Sequence, residues 1–470
     1  MTDDDALRGQ LRSLLGAEAV LTGPADTDSY LVDERALYRG QALAVVLPHE
    51  VVQVADLLAW CNQRRIGVVP QGGNTSYCGG ATPDESGRQL LLSLTRLKRV
   101  RSVDAENFSL IAEAGCVLAS VQQAAADADR FFPLSLGSEG SCRIGGNLAT
   151  NAGGLNVVRY GMTRDLVLGI EAVLPDGSVF DGLKSLRKDN TGYDLRSLLI
   201  GSEGTLGVIT AASLKLWPRM RSSATAFIGV STPHAALRLL GLLRTTAGER
   251  LSSFELIPRI AIELTTRYIS GVSDPLSAAY PWYILCELTS SADEPLSELL
   301  QHTLADAADQ RVLADAAIAT SERVRAAFWR LRETVPEAQR HAGASIKHDI
   351  SVPVAALPRF IDQASRWVAS HVRDGVLVCY GHAGDGNLHF NLSCLDPARK
   401  DSFLAQEPSI RRAIHDLVAR FEGSFSAEHG IGQLKRDELQ RYTSPVALEA
   451  MRAIKRALDP NGIMNPGKLL

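Results

Sequence analysis

The sequence predicts an α+β fold with two domains and a short C-terminal segment. Its 470 residues are enough for two or more domains, each with its own core. Short apolar runs alternate with glycine clusters between residues 40 and 215, and this alternation stops after 214–223. Alternating helical and strand-like segments then continue to about residue 425. We therefore expect domains at 1–217 and 218–425, followed by a segment at 426–470.

The composition is that of a globular protein and disfavours several classes of function. With 45% hydrophobic residues, 22% charged residues and a net charge of −4, the chain gives no support to nucleic-acid binding. Residues 1–16 are acidic where a targeting segment would be basic, and no apolar run approaches the roughly 18–20 residues of a transmembrane span. The seven cysteines are scattered without a CxxC pair, which indicates free thiols and no iron–sulfur centre. We expect a soluble cytoplasmic protein.

The first glycine cluster follows a predicted strand–helix–strand unit. Apolar runs at 43–50 and 65–70 are typical of strands, and 51–64 is typical of a helix. The next segment, "PQGGNTSYCGG" at 70–80, has four glycines in eleven residues. Such a loop can bring successive backbone N–H groups around a pyrophosphate. It fits neither the Walker pattern nor GxGxxG, so by itself it leaves an ordinary flexible loop as the alternative.

Two further glycine clusters strengthen the phosphate interpretation. They lie at 137–154, "GSEGSCRIGGNLATNAGG", and at 201–207, "GSEGTLG". Glycine has an entropic cost on folding, so this concentration indicates backbone packed closely against something. A long cofactor contacted along its length would explain all three clusters.

The order of these motifs resembles the FAD-binding domain of the vanillyl-alcohol oxidase and p-cresol methylhydroxylase superfamily. Within it, the chain is similar to the flavin-linked D-2-hydroxyacid dehydrogenases, which include D-lactate, glycolate and especially D-2-hydroxyglutarate dehydrogenases. The resemblance runs from about residue 40 to the "NPGK" at 465–468. It implies a two-part FAD-binding domain, an α+β substrate (cap) domain, and a C-terminal segment that returns to the FAD domain.

The resemblance also implies which residues contact FAD. The first loop would hold the pyrophosphate, and the other two would lie along the flavin and the adenine half. The implied contacts are Gln71, Gly72, Gly73, Asn74, Thr75, Gly79, Ser138, Ser141, Gly145, Gly146, Asn151, Gly153, Gly154, Glu203, Gly204 and Gly207. Some relatives attach flavin covalently through histidine or cysteine. Cys78 and Cys142 are the candidates here, but we expect non-covalent FAD.

The segment 380–391, "YGHAGDGNLHFN", places two histidines seven residues apart. If Asp385-Gly386 forms a two-residue type I′ turn, the hairpin pairs His382 with His389. Directly opposed residues have Cβ atoms about 4.5–5.5 Å apart, close enough to share one metal ion. Asn391 would face the same way. The alternative is a tight turn with two incidental histidines.

A third metal ligand is offered by "SAEHGIG" at 426–432. His382, His389 and Glu428 would form a three-ligand site with open positions for a divalent metal such as zinc. The alternative for Glu428 and His429 is a solvated pair at a helix start. In the D-2-hydroxyglutarate dehydrogenases that the chain resembles, the three ligand positions bind a divalent metal.

The predicted chemistry follows from this site. A cation that chelates the hydroxyl and the C1 carboxylate of a 2-hydroxyacid lowers the pKa of that hydroxyl. His429 is the candidate general base, because imidazole titrates near neutral pH. The hydride would pass to flavin N5, and Asn391 would hold a substrate oxygen.

Two positively charged side chains are candidates to bind the distal end of the substrate. Residues 330–354 predict a helix broken near Pro336 and then a strand. From the residues alone, Arg332 would be a surface or core-edge arginine. The resemblance aligns Arg332 and Lys347 with residues that hold the distal carboxylate of a diacid. Pro336 departs from the diacid enzymes, which often have threonine or serine there, and we expect it to strain the helix at the Arg332 carbonyl.

The sequence thus favours FAD- and metal-dependent oxidation of D-2-hydroxyglutarate to the 2-oxoacid. Alternatives are a D-lactate, D-malate or glycolate dehydrogenase, or an oxidase, of the same fold. A metal-dependent hydrolase with a nucleotide substrate is a different class, and it would be colourless. An electron-transfer flavoprotein, a quinone or a cytochrome could accept the electrons, and a homodimer is compatible with the sequence.

Overall fold

The structure is a computed structural model of the chain and describes residues 3–470. Its strands are, in chain order, β1 Val20–Leu21, β2 Ala44–Val46, β3 Val68–Gln71, β4 Leu90–Ser93, β5 Val100–Asp104, β6 Ser109–Glu113, β7 Arg130–Phe131, β8 Val167–Val173, β9 Val179–Gly182, β10 Val208–Lys215, β11 Trp217–Pro218, β12 Ser222–Val230, β13 Leu251–Pro258, β14 Trp282–Ser290, β15 Asp315–Ile318, β16 Ala344–Ile346, β17 Asp349–Ser351, β18 Val376–Tyr380 and β19 Asn387–Cys394.

The α-helices, in chain order, are α1 Asp3–Leu15, α2 Pro24–Thr27, α3 Val51–Arg64, α4 Leu118–Asp127, α5 Ile144–Ala149, α6 Val157–Tyr160, α7 Leu195–Leu199, α8 Pro233–Ala247, α9 Arg259–Tyr268, α10 Leu296–Asp309, α11 Glu322–Glu333, α12 Val335–Ala342, α13 Leu357–His371, α14 Lys400–Leu404, α15 Glu407–Arg420, α16 Arg436–Tyr442 and α17 Pro445–Leu458. The predicted strand–helix–strand unit at 43–70 is therefore present as β2, α3 and β3.

The chain divides into two compact units. The first unit contains the residues up to Gly153, Gly161–Arg219 and Glu428–Leu470. The second contains Gly154–Tyr160 and Met220–Ala427. The domain boundaries at 217/218 and 425/426 stay a prediction.

The first unit contains a four-stranded and a five-stranded sheet. In the order β1-β2-β4-β3, strand β4 pairs in parallel with β2 and β3, while β1 is antiparallel to β2. The second sheet, β5-β6-β10-β8-β9, is antiparallel throughout. Leu57 of α3, Leu90 of β4 and Met464 share one buried core. Met464 also bridges Val68 of β3 in parallel, so the chain's last residues complete this unit.

The second unit is built on two antiparallel sheets. One has the order β13-β14-β12-β15, and in the other β16, β17 and β18 all pair with β19. Phe254, Phe360 and Phe390 lie in a core shared by both sheets and by helices α8, α10 and α13. Helices α9, α11 and α12 cover the other face of the first sheet, where Phe227, Tyr283 and Leu285 lie in a second core.

The helix break near Pro336 is confirmed, but its expected effect is wrong. Helix α11 ends at Glu333, and α12 begins at Val335 with Pro336 in its first turn. Proline is well tolerated in a first turn, because its missing N–H would have had no helical partner there. The proline therefore does not strain the helix that carries Arg332.

Two whole-chain properties bear on the predictions. No helix within residues 3–470 combines the length and the apolar character that a bilayer crossing requires. All seven cysteines are free and buried, as the lack of paired spacing indicates. Burial raises the pKa of the Cys142 thiol, and Cys78 is only 1% exposed. Non-covalent binding of FAD stays a prediction.

Candidate active site

The first glycine loop leaves strand β3 at Gln71, as predicted. Five consecutive backbone N–H groups, Gly72 to Ser76, donate to no acceptor within residues 3–470. Successive N–H groups of this kind form an anion-binding concavity. The loop therefore fits the pyrophosphate of a dinucleotide cofactor, through its backbone.

The glycines allow two loops of the first unit to approach closely. A Cβ atom on Gly73 would lie 2.3 Å from the carbonyl oxygen of Ser141, and one on Gly145 would lie 2.6 Å from the Cβ of Ala114. Gly79 has φ of +66°, a conformation that side chains other than glycine rarely adopt. The glycine content of the first two clusters thus has a packing cause within the unit.

Several predicted FAD contacts use their side chains to support these loops. Gln71 Nε2 donates to the carbonyls of Tyr30 and Ala81, and Asn74 Nδ2 donates to that of Val32. Asn151 Oδ1 accepts the Arg164 N–H. Of the other predicted contacts, those in the first unit are Thr75, Ser138, Ser141, Gly145, Gly146, Gly153, Gly204 and Gly207, whereas Gly154 belongs to the second unit.

Replacing Gly73 with alanine should lower FAD occupancy and stability. The new methyl group would overlap the Ser141 carbonyl, and such overpacking typically costs about 1–3 kcal/mol. The ratio of flavin to protein absorbance and the melting temperature measure both effects. Gly137→Ala is the matched control, since its Cβ would meet no atom within 4 Å. Equal occupancy in the two variants would show that the close approach is not needed.

Glu203, predicted to contact FAD, has a second task in the structure. Its two carboxylate oxygens accept the backbone N–H groups of Ile431 and Gly432, each at 2.7 Å. Burial raises the pKa of Glu203, while these two N–H donors and Lys435 oppose the shift. The carboxylate thus holds the turn that follows His429.

His429, the predicted general base, lies in the first unit beside Tyr77 of the glycine loop. The two rings meet edge to face, with centroids 4.9 Å apart. Tyr77 was not predicted as a site residue, and its place in a glycine-rich loop gave no signal of this contact. His429 therefore stands at one end of the loop that fits a pyrophosphate.

The two histidines of the second unit are close together, but not through the predicted hairpin. Strands β18 and β19 pair Tyr380 with His389, two residues out of the predicted register. His382 lies beyond the end of β18, in a loop where its carbonyl accepts the N–H groups of Asp385 and Gly386. The predicted two-residue type I′ turn is therefore wrong. The rings of His382 and His389 are nevertheless 5.7 Å apart.

The segment between β18 and β19 does not close into a tight hairpin, because strand β13 forms backbone hydrogen bonds with it. The N–H and the carbonyl of Gly381 both bond to Leu256, at 3.0 and 2.9 Å. The Gly384 N–H donates to the Phe254 carbonyl at 3.0 Å. In the predicted hairpin, Gly381 and Gly384 would instead have paired with residues 390 and 387.

A buried carboxylate, Glu255 of β13, joins His382 to Arg332. Its Oε1 lies 2.6 Å from His382 Nδ1, and its Oε2 lies 2.8 Å from Arg332 Nε. Burial acts to raise the pKa of Glu255, but His382 and Arg332 outweigh it and lower that pKa to about 2. The carboxylate is therefore ionised. Glu255 was not predicted; a lone glutamate in the apolar run "LSSFELIP" was the available signal.

Arg332 is buried, with 5% of its surface exposed, so of the two predicted environments the surface is excluded and the core edge remains. Its guanidinium carbon lies 4.8 Å from the centroid of the Tyr380 ring, a cation–π contact. The Tyr380 ring in turn lies 5.1 Å from that of His389. Arg332 is thus fixed beside both histidines.

The other two predicted substrate contacts lie on the same sheet. Asn391 is buried, where its Nδ2 donates to Gln339 and its Oδ1 accepts the His348 N–H. Lys347 is half-buried between β16 and β17. Asn391 is thus held rigidly at the centre of the sheet.

The predicted third ligand, Glu428, follows a residue anchored on this sheet. The Ala427 N–H donates to the Asp349 carbonyl at 3.3 Å, and Asp349 is the strand partner of His389. Glu428 comes next in the chain and is the first residue of the C-terminal segment of the first unit.

Family models and a solved structure match the chain. Residues 42–182 match the model described as FAD binding domain, and residues 219–469 match that of FAD linked oxidases, C-terminal domain. The crystal structure of p-cresol methylhydroxylase with substrate bound is similar with a TM-score of 0.78, at 16% identity over 100% of this chain and 97% of that one. The protein is therefore an FAD-dependent oxidoreductase with the predicted fold.

Two curated relatives narrow this class. The mitochondrial D-2-hydroxyglutarate dehydrogenase of Bos taurus is 39% identical over 454 residues, which are 96% of this chain and 81% of the relative. That of Arabidopsis thaliana is 36% identical over 461 residues, 98% of this chain and 80% of the relative. The chain belongs to the family of FAD-linked hydroxyacid dehydrogenases. The hydrolase alternative is therefore wrong.

The expected cytoplasmic location is contradicted by the same comparison. Both of these relatives are named as mitochondrial proteins. Neither the composition nor the acidic first residues were a sound basis for a location.

Proposed function

We propose that the protein oxidises D-2-hydroxyglutarate to 2-oxoglutarate, using FAD and a divalent metal held by His382, His389 and Glu428. The observation that carries the proposal is the pair of imidazoles 5.7 Å apart, one of them bound at Nδ1 by an ionised carboxylate. Two neutral imidazoles and a carboxylate are a donor set that suits zinc and similar ions. The names of the two relatives support the substrate.

The donor set leaves room for a catalytic role. Three protein ligands leave coordination positions open, as in catalytic rather than structural zinc sites. Glu428 supports the set because the preceding residue is bonded to the strand that pairs with His389. When bound, the cation would lower the pKa of the substrate hydroxyl and FAD would accept the C2 hydride at N5.

The chain's own residues then have defined tasks. His429 accepts the hydroxyl proton, and Asn391, held by Gln339, orients a substrate oxygen. Lys347 and Arg332 bind the distal carboxylate of the diacid. Arg332 already faces Glu255, so we assign the larger share of this binding to Lys347.

Anaerobic mixing tests the proposal. The purified protein is mixed with D-2-hydroxyglutarate, D-malate, D-lactate and their L-forms while the oxidised-flavin absorbance is followed. We expect fast bleaching by D-2-hydroxyglutarate, lost after EDTA treatment and restored by a divalent ion. Bleaching that persists after EDTA treatment would contradict the proposed metal dependence. Bleaching by none of these acids would move the substrate outside this class.

The same protein separates the remaining alternatives. Repeating the reaction in air distinguishes an oxidase, which would form hydrogen peroxide on each turnover. An electron-transfer flavoprotein or a quinone as the acceptor stays a prediction, as does a homodimer.

Replacing Lys347 with alanine should weaken diacids far more than lactate. Removing the cation leaves the distal carboxylate without its main partner, and a charge-assisted hydrogen bond is worth about 1.5–3 kcal/mol, roughly 10- to 100-fold in kcat/KM. The values for D-2-hydroxyglutarate and D-lactate measure the difference. Lys400→Ala, on the exposed start of α14, is the control. An equal loss on both acids would contradict the assignment.

A further inference from the structure

We infer that Glu255 is a positioning residue that prepares His382 for metal binding and couples it to Arg332. This inference rests on the proposed function, because it requires His382 to be a metal ligand. No predicted site residue was chosen from β13, so the inference adds a strand to the site.

The geometry of Glu255 is that of a shared, fully buried anchor. The residue has no exposed surface. One carboxylate oxygen lies 2.6 Å from His382 Nδ1, and the other lies 2.8 Å from Arg332 Nε and 2.7 Å from Arg332 Nη2. Each oxygen thus serves one partner, and the carboxylate bridges His382 and Arg332.

This contact selects the form of His382 that binds a metal. Glu255 Oε2 accepts from Arg332, and Oε1 lies 2.6 Å from His382 Nδ1, so Nδ1 is the ring nitrogen that donates to the carboxyl group. In a neutral imidazole, the lone pair then lies on Nε2, which is the ligand atom. A carboxylate behind a ligating histidine fixes its tautomer and ring orientation and raises its basicity.

The same carboxylate supports the second histidine indirectly. Arg332, held by Glu255, lies over the Tyr380 ring, and that ring contacts His389. One buried anion therefore fixes the surroundings of both imidazoles.

The second unit contains a matched site without a histidine. Glu287 of the neighbouring strand β14 is also buried, 6% exposed, and accepts from Arg325, Thr225 and Trp329. Replacing Glu287 removes a carboxylate–arginine pair from the same sheet. It does not change the contacts of His382 or His389. Glu287→Gln is therefore the control for a merely structural effect.

Zinc titration of the FAD-loaded protein tests the inference. After EDTA treatment and dialysis, Zn²⁺ affinity is measured by calorimetry for the wild type, Glu255→Gln, Glu287→Gln and His382→Ala. We expect Glu255→Gln to bind zinc about 10- to 100-fold more weakly, the usual effect of losing such a partner. Glu287→Gln should bind as the wild type does. Wild-type affinity in Glu255→Gln would overturn the inference.

The other outcomes separate this inference from the proposed function. No zinc binding by the wild type, or unchanged binding by His382→Ala, would overturn the proposed metal site and the inference with it. If Glu255→Gln does not fold, Glu255→Asp keeps the charge but shortens the reach, and it should still weaken zinc binding. Unchanged affinity in that variant would likewise overturn the inference.

Discussion

Replacing His389 with alanine should abolish turnover while the protein keeps its flavin absorbance. The variant would lose one of the three proposed metal ligands, a heavier loss than the roughly 10–100-fold typical of an outer-shell partner. The flavin should remain because the glycine loops that fit a dinucleotide lie in the first unit, whereas His389 lies in the second. Steady-state rates and the visible spectrum measure the two effects together.

Another histidine of the second unit supplies the control for His389. His371 ends helix α13 of the same unit and stacks on Trp367, with ring centroids 4.8 Å apart. His371→Ala should retain activity. Near-normal turnover of His389→Ala in chelator-treated buffer would rule out a metal at this position.

Replacing His429 with glutamine should slow flavin reduction by about 10²- to 10⁴-fold, the range that a general base contributes. Glutamine has a similar length but cannot accept the hydroxyl proton as imidazole does. Glu203 should still hold the following turn, because its bonds are to the backbone of Ile431 and Gly432. Rapid mixing with substrate under anaerobic conditions measures the rate of this step directly.

The affinity for zinc shows whether His429 acts as the general base or as a metal ligand. His429→Gln should bind zinc as the wild type does, whereas His389→Ala should not. His302→Gln, on the exposed face of α10, should change neither property. Wild-type flavin reduction by His429→Gln would place the base elsewhere.

Local signals predicted the first unit well. The β2–α3–β3 unit and the glycine loop after β3 follow from apolar periodicity and from glycine, both of which act over a few residues. Pro336 was placed correctly as a helix break for the same reason. The strain that we expected Pro336 to place on Arg332 was predicted wrongly, because Arg332 lies in α11 and Pro336 lies in the first turn of a separate helix, α12.

The hairpin register failed because a distant strand competes with the turn. The pair Asp385-Gly386 favours a tight turn on local grounds. Strand β13 instead bonds to Gly381 and Gly384, from more than 120 positions earlier in the chain. The rings of His382 and His389 lie 5.7 Å apart in spite of the incorrect strand pairing, and the metal site stays a prediction.

Glu255 shows what sequence patterns omit. Its partners Arg332 and His382 are 77 and 127 positions away, and no local rule connects them. A glutamate in an apolar strand indicates only that a buried charge must have partners. Which partners it has depends on the packing of the two sheets.

The seven buried thiols make the protein simple to label. Burial raises the pKa of Cys286 to about 12, so that thiol scarcely forms the thiolate that reacts with maleimides. The substitution Tyr193→Cys, at a position that is 94% exposed, would offer a single accessible attachment point for a fluorophore. The native cysteines would not need to be removed.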